Sequence, residues 1–188
     1  WVAQASYFET LLQDPCQDGR VRRRALRFLA RFHGKAWAPD IAALLQDPDY
    51  EVRGGAAEAL GRLGAKEYAP QIASILLKDR HQGSRRDAAR ALGRLGVKEY
   101  SPGIAVLLKD RIAYTRAYGA MTLGYLHAKE YLPDIAALLR DPDNYVQEQA
   151  AEALGSLTGQ KKISPDDAGV LAAQAWWDAH KNDPEFAP

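Results

Sequence analysis

The sequence has a single cysteine, Cys16, in 188 residues. That excludes an internal disulfide framework and a zinc site built on paired thiolates. No apolar run approaches the ~18 residues needed to cross a bilayer as a helix, and a net charge of +1 predicts no membrane partner. An excess of one charge is missing too. With 25 Lys+Arg against 24 Asp+Glu, electrostatic specificity has to come from how charge is arranged. The four histidines, at 33, 81, 127 and 180, form no HxxxH pair. No Ser/His/Asp or Cys/His grouping, metal-ligand spacing or glycine-rich phosphate loop is present either. No cofactor, metal or catalytic residue is therefore expected, and the chain reads as a non-enzyme. What it does have is 47% apolar and 26% charged residues, the balance of a folded domain long enough to bury a core.

The apolar residues fall into an internal repeat. Leu60-Gly61-Arg62-Leu63-Gly64 recurs as Leu92-Gly93-Arg94-Leu95-Gly96 and, weakened, as Leu123-Gly124-Tyr125-Leu126 and Leu154-Gly155-Ser156-Leu157. The glycines at 61, 93, 124 and 155 are 32, 31 and 31 residues apart. A second marker follows: Lys66-Glu67-Tyr68-Ala69-Pro70, Lys98-Glu99-Tyr100-Ser101-Pro102 and Lys129-Glu130-Tyr131-Leu132-Pro133, with Lys35-Ala36-Trp37-Ala38-Pro39 as a degenerate copy. A third is the Leu-Leu-x-Asp run ending at Asp14, Asp47, Asp79, Asp110 and Asp141. Three markers sharing one period divide the chain into five units, approximately 1–34, 35–64, 65–96, 97–127 and 128–159.

Each unit reads as two helices. The first begins at the proline, whose missing N–H costs nothing in the first turn, and Ile41, Leu44 and Leu45 follow amphipathic spacing. Asp47-Pro48-Asp49 supplies turn and capping chemistry. The second helix runs roughly from Tyr50 to Leu63, burying Val52, Ala56, Ala59, Leu60 and Leu63. Gly64 and Gly96 stand where a left-handed C-terminal residue is wanted; His33, His127 and Thr158 occupy the equivalent places and are read as structural. Trp37, Tyr68, Tyr100 and Tyr131 precede each first helix and are read as packing groups. Beyond the period, residues 160–188 carry a helix start at Ser164-Pro165-Asp166-Asp167 and a helix to about His180. Val170, Leu171, Trp176 and Trp177 on that helix suit a cap over the open edge of the last repeat. One domain overall is expected.

The runs Asp47-Pro48-Asp49-Tyr50-Glu51-Val52-Arg53 and Ala56-Ala57-Glu58-Ala59-Leu60-Gly61 resemble the HEAT repeat, in the short form shared with bilin-lyase-like proteins. The resemblance covers residues 1 to about 158. With the periodicity, it implies an all-α, right-handed α/α superhelix of five helix pairs plus a C-terminal capping helix. It also implies a structural hydrogen-bonded ladder from the motif's Asp and Arg, here Asp14 and Arg22, Asp47 and Arg53, Asp79 and Arg85, and Asp110 and Arg116. The fifth unit has Gln147 opposite Asp141, so the charged ladder is expected to stop there. Two extra residues between Asp14 and Arg22 set the first unit's turn apart.

In such proteins the second helices line a concave surface. Mapped onto the second unit, its solvent-facing positions are Tyr50, Glu51, Gly54, Gly55, Glu58 and Arg62. The face is basic in the first unit (Arg20, Arg23, Arg24, Arg27, Arg31) and again in the third (Arg86, Arg90, Arg94). It is aromatic in the fourth (Tyr114, Tyr118, Met121, Tyr125) and acidic in the fifth, beside Tyr145. Three tyrosines and a methionine on one stripe are what interfaces enrich. The expected function is a monomeric, non-catalytic scaffold that binds a protein or peptide in the concave groove, with arginines steering an acidic segment. Nucleic-acid binding through the Arg stripes, with tyrosines stacking on bases, is the alternative, disfavoured by the near-zero net charge. A bilin-lyase-like or other HEAT-type enzyme is a remote one.

Overall fold

The repeated leucine, followed by glycine in four units and by Ala30 in the first, is the centre of the fold. Leu29, Leu60, Leu92, Leu123 and Leu154 are wholly buried, as are Ile41, Ile72, Ile104 and Ile135 from the first helices. Each such side chain contributes about 1.5–3 kcal/mol through removal from water. The computed structural model describes residues 10–12, 14, 17–32, 34–160, 167–184 and 186. The expectations for His33 and for Ser164, Pro165 and Asp166 lie outside the described residues.

Among the described residues every regular element is helical. The chain divides into two units, Trp1–Val97 and Lys98–Pro188. In the first, α1 (Gly19–Phe32), α3 (Tyr50–Leu63) and α5 (Gln82–Leu95) are second helices lying side by side, and α2 (Ala38–Ala43) and α4 (Ala69–Lys78) are first helices packed on α3 and α5. In the second, α7 (Ala113–Tyr125) lies against α9 (Asn144–Thr158), with α6 (Ser101–Ala105) on α7 and α8 (Leu132–Ala137) on α9. The prolines sit in the first turns of α2, α4, α6 and α8.

The third marker makes the turn between the helices of a pair. Asp47, Asp79, Asp110 and Asp141 each accept, through Oδ1, the amide two residues on, at 2.8–3.0 Å. A second residue then caps the following helix. Asp49 accepts from the Glu51 amide, the His81 ring from Gly83, and Asp143 from Tyr145. The second helices end on left-handed residues: Gly64 (φ +64°), Gly96 (φ +66°) and His127 (φ +52°). In the fifth unit that residue is Gly159 (φ +76°) rather than Thr158. Thr158 stays helical because its hydroxyl donates to the Leu154 carbonyl at 2.8 Å, and glycine takes the left-handed conformation without a Cβ penalty.

The first marker's glycines are sites of helix contact. A Cβ on Gly61 would stand 2.9 Å from the Ala91 Cα of α5, and one on Gly124 would stand 3.1 Å from the Ala153 Cα of α9. The Leu-Gly step therefore combines a core side chain with a backbone-to-backbone approach. With α1 on one side and α5 on the other, α3 is covered along most of its length, and Gly54, Gly55 and Glu58 are buried. This corrects their reading as solvent-facing positions.

At the C-terminus, α10 (Asp167–His180) packs on α9. It buries Val170, Ala173 and Trp177, and Gln174 donates to the Leu139 carbonyl. Arg140 pairs with Asp178 at 2.8 Å. Trp176 is half-buried, its ring stacked on His180 at 4.6 Å.

Candidate functional site

Many of the chain's arginines act inside it. Arg53 places Nε and Nη2 on the two Asp79 oxygens at 2.7 and 3.0 Å, and its Nη1 donates back to the Asp47 carbonyl at 2.8 Å. Arg116 does the same with Asp141 (2.7 and 2.7 Å) and the Asp110 carbonyl (2.8 Å). Arg22 joins Asp47 at 2.6 Å and the Leu12 carbonyl at 2.7 Å. Each of these arginines thus spans two units, holding its own turn while pairing with the aspartate of the next. Arg85 donates to the Asp79 carbonyl at 3.0 Å, and Gln147 supplies the corresponding bond to the Asp141 carbonyl at 2.6 Å. Burial alone would push Asp79 and Asp141 up, but the hydrogen bonds and charges of Arg53 and Arg116 hold both below the usual carboxylate range.

A second charge network crosses α1, α3 and α5. Arg23 of α1 reaches Glu51 and Glu58 on α3 (both 3.1 Å) and Asp87 on α5 (2.8 Å). It passes over Gly54 and Gly55: a Cβ on Gly55 would meet the Arg23 side chain at 2.9 Å, and one on Gly54 would meet the Asp87 carboxylate at 2.8 Å. The glycine pair is therefore the gap through which one arginine links three helices. Glu58, with a side chain only 5% exposed, accepts from Arg23 (3.1 Å), Arg27 (3.1 Å) and Arg62 (3.0 Å), with Arg94 at 3.8 Å. Burial pushes its carboxyl up, yet the bonds and charges of Arg62, Arg27 and Arg23 outweigh that and hold it at about 2. Asp87 also pairs with Arg86 at 3.1 Å.

The face of α7 is different in kind. Tyr114 and Tyr125 are 61% and 55% exposed, while Tyr118 and Met121 are half-buried. Tyr145 of α9 lies against Tyr114 with ring centroids 5.3 Å apart. Between α7 and α9 a small cavity of about 70 Å³ is lined by Met121, Tyr125, Gln149, Glu152 and Ser156 among others.

The sequence-derived positions thus separate into groups. Arg27, Arg86 and Arg94 are drawn into the carboxylate network; Arg20, Arg24, Arg31 and Arg90 are exposed and make no ion pair among the described residues. Tyr50 stacks on His81, ring centroids 3.4 Å apart. Tyr114, Tyr118, Met121, Tyr125 and Tyr145 share one surface of the second unit. Sequence reasoning missed Glu58 and Asp87 as network centres. The signal was present in the alternation Arg27, Glu58, Arg90 at one repeat position. Among the described residues no group of His, Cys, Asp and Glu is arranged to hold a metal ion, and no helix is long and apolar enough to cross a membrane.

These geometries agree with what the chain resembles. The family of HEAT repeats matches residues 8–93 and 100–181. The chain belongs to the HEAT-repeat family. A search of curated proteins finds no match to it. Among solved structures it is similar to the complex of CpcE and CpcF of phycocyanin lyase from Nostoc sp. PCC7120, with 25% identity and a TM-score of 0.70 over 83% of this chain and 65% of that one. It thus spans just under two thirds of that chain. It also shares its fold with the Escherichia coli protein YibA (19% identity, TM-score 0.69, covering 96% of this chain and 68% of that one). A designed armadillo repeat protein is a third (16%, 0.52, 95% and 92%).

Proposed function

We propose that the chain is a non-catalytic, HEAT-type interaction scaffold that binds a partner protein through the exposed faces of its second helices. The observation that carries this reading is the α7 stripe, where Tyr114 and Tyr125 remain mostly exposed although the core positions of the same helix are filled. Large aromatic side chains held on a rigid helix lose little entropy on binding and supply the anchors that dominate interface energies. The cavity beside Met121 and Tyr125 gives a partner's side chain a recess.

The test is cross-linking and capture from source extract with the intact protein and with a Tyr114→Ala/Tyr125→Ala variant. Circular dichroism of the variant should be unchanged, since exposed substitutions typically move stability by no more than about 0.5 kcal/mol each. Affinity for the captured partner should fall about thirtyfold, corresponding to about 2 kcal/mol. A partner held equally well by both proteins would refute the reading. A lyase activity of the kind named for the Nostoc complex is the second reading, supported by the 25% identity. A change in the visible absorption of phycocyanin on incubation with this chain would put that reading first.

A further inference from the structure

The near-neutral total conceals an uneven distribution. Residues 1–97 carry 16 Lys+Arg against 11 Asp+Glu, and residues 98–188 carry 9 against 13. Within the first unit the excess lies on the second helices, where α1, α3 and α5 hold twelve arginines and no lysine. The lysines of that unit, Lys35, Lys66 and Lys78, all lie on other segments. Bonds within the unit account for eight of the twelve, but the four left exposed are also all arginine, and a solvated surface has no need to discriminate between the two residue types. Recognition of planar oxyanions does, because a guanidinium presents a fixed fork of donors and an ammonium only a point charge.

Resting on the reading of the second-helix faces as protein-binding surfaces, we propose that α1, α3 and α5 form a recognition face for a protein segment rich in aspartate and glutamate. Arg20, Arg24, Arg31 and Arg90 are its contacting groups, beside the half-exposed Arg27 and Arg62 that the buried Glu58 holds in place. Arg22, Arg53 and Arg85 are committed to the turns, and Arg23 is consumed by Glu51, Glu58 and Asp87. Among the described residues none of the four contacting arginines pairs with an acid, although Arg31 lies over the Phe32 ring at 5.5 Å, so their charge is open to a ligand. Glu58 orders Arg27 and Arg62 at 3.1 and 3.0 Å, which lowers the entropy lost when an anion binds across them.

A nucleic acid fits this face less well. The rings on these helices are already paired, Phe28 with Phe32 at 4.6 Å and Tyr50 with His81 at 3.4 Å, which leaves no run of rings on which unpaired bases would stack.

The experiment uses the full chain and a fluorescent glutamate-rich peptide, read by anisotropy at low and moderate salt. The wild type should bind, and Arg24→Gln/Arg90→Gln should weaken binding about tenfold, two exposed ion pairs of ordinary strength. Arg24→Lys/Arg90→Lys, which keeps the charge, should fall between the two. A control pair, Arg80→Gln/Arg111→Gln, removes the same charge from exposed positions off these helices and should leave binding near wild type. The proposal is overturned if the wild type does not bind, if the control pair loses as much as the test pair, or if a short single-stranded oligonucleotide binds more tightly at the same salt. The Tyr114→Ala/Tyr125→Ala variant should keep its peptide affinity. Peptide failure alongside Tyr-dependent capture would remove this proposal alone, and the converse would remove only the α7 reading.

Discussion

Replacing Glu58 with glutamine keeps the shape of the side chain and removes the charge that Arg23, Arg27 and Arg62 share. The carboxyl sits at about 2 against an ordinary 4.5. A shift of that size corresponds to at most about 3 kcal/mol of stability at neutral pH, using 1.36 kcal/mol per unit. Arg27 and Arg62 are 50% and 46% exposed, so solvent screening reduces the expected loss to about 2 kcal/mol. For a chain of this length that lowers the melting temperature by about 4–8 °C. Because the folded-state value is depressed, the stabilisation is fully present above the unfolded-state value near 4.5 and is lost as pH falls towards 2. Urea unfolding of wild type and Glu58→Gln, followed by circular dichroism from pH 7 to pH 3, measures the gap directly. The gap should be constant down to about pH 5, then narrow by up to about 1.4 kcal/mol per pH unit. A gap that persists unchanged to pH 3 would show that Glu58 acts by packing rather than by charge, and no gap at pH 7 would remove the network from any account of stability.

Two further outcomes separate backbone contact from side-chain contact. Gly61→Ala should cost about 1–3 kcal/mol because its new Cβ meets the Ala91 backbone, which cannot rotate away; Gly54→Ala, which meets only the Asp87 carboxylate, should cost less, and urea midpoints in the reverse order would contradict the helix spacing. Arg116→Lys keeps the charge but loses the two-pronged bond to Asp141, so stability should fall by about 1–2 kcal/mol. The Asp141 carboxyl should also rise towards its ordinary value, readable by carboxyl NMR titration; an unmoved titration would show that the Arg116 fork does not set it.

The helical repeat was legible because its markers are local. Asp47, Asp79, Asp110 and Asp141 make their turn bonds two residues away, and the prolines act on the turn they occupy, so spacing alone locates them. The burial of Gly54, Gly55 and Glu58 was not legible from one helix. A single amphipathic helix has an outside, whereas α3 has neighbours on two flanks, and only residues without side chains let Arg23 pass above it. The ladder presents the same contrast. The resemblance names its residues, but which unit each arginine bonds to depends on the offset between neighbouring helices, and no spacing within a unit carries that offset.

One residue type thus has three roles on the same set of helices, and the neighbouring carboxylate decides which. Where the next unit offers an aspartate at its turn, as for Arg22 and Arg53, the guanidinium locks two units together. Where a buried acid lies within reach, as Glu58 does for Arg27 on the neighbouring helix and for Arg62 one turn along its own, the arginine is held in place but stays half in water. Where no acid among the described residues pairs with it, as for Arg24 and Arg90, the side chain stays exposed. Composition hides this division, because a count of arginines weighs all three alike. The repeat period makes it visible: at the position shared by Arg27, Glu58 and Arg90, one acid lies between two bases. Arg27 turns inward to that acid at 3.1 Å, and Arg90 is left facing solvent.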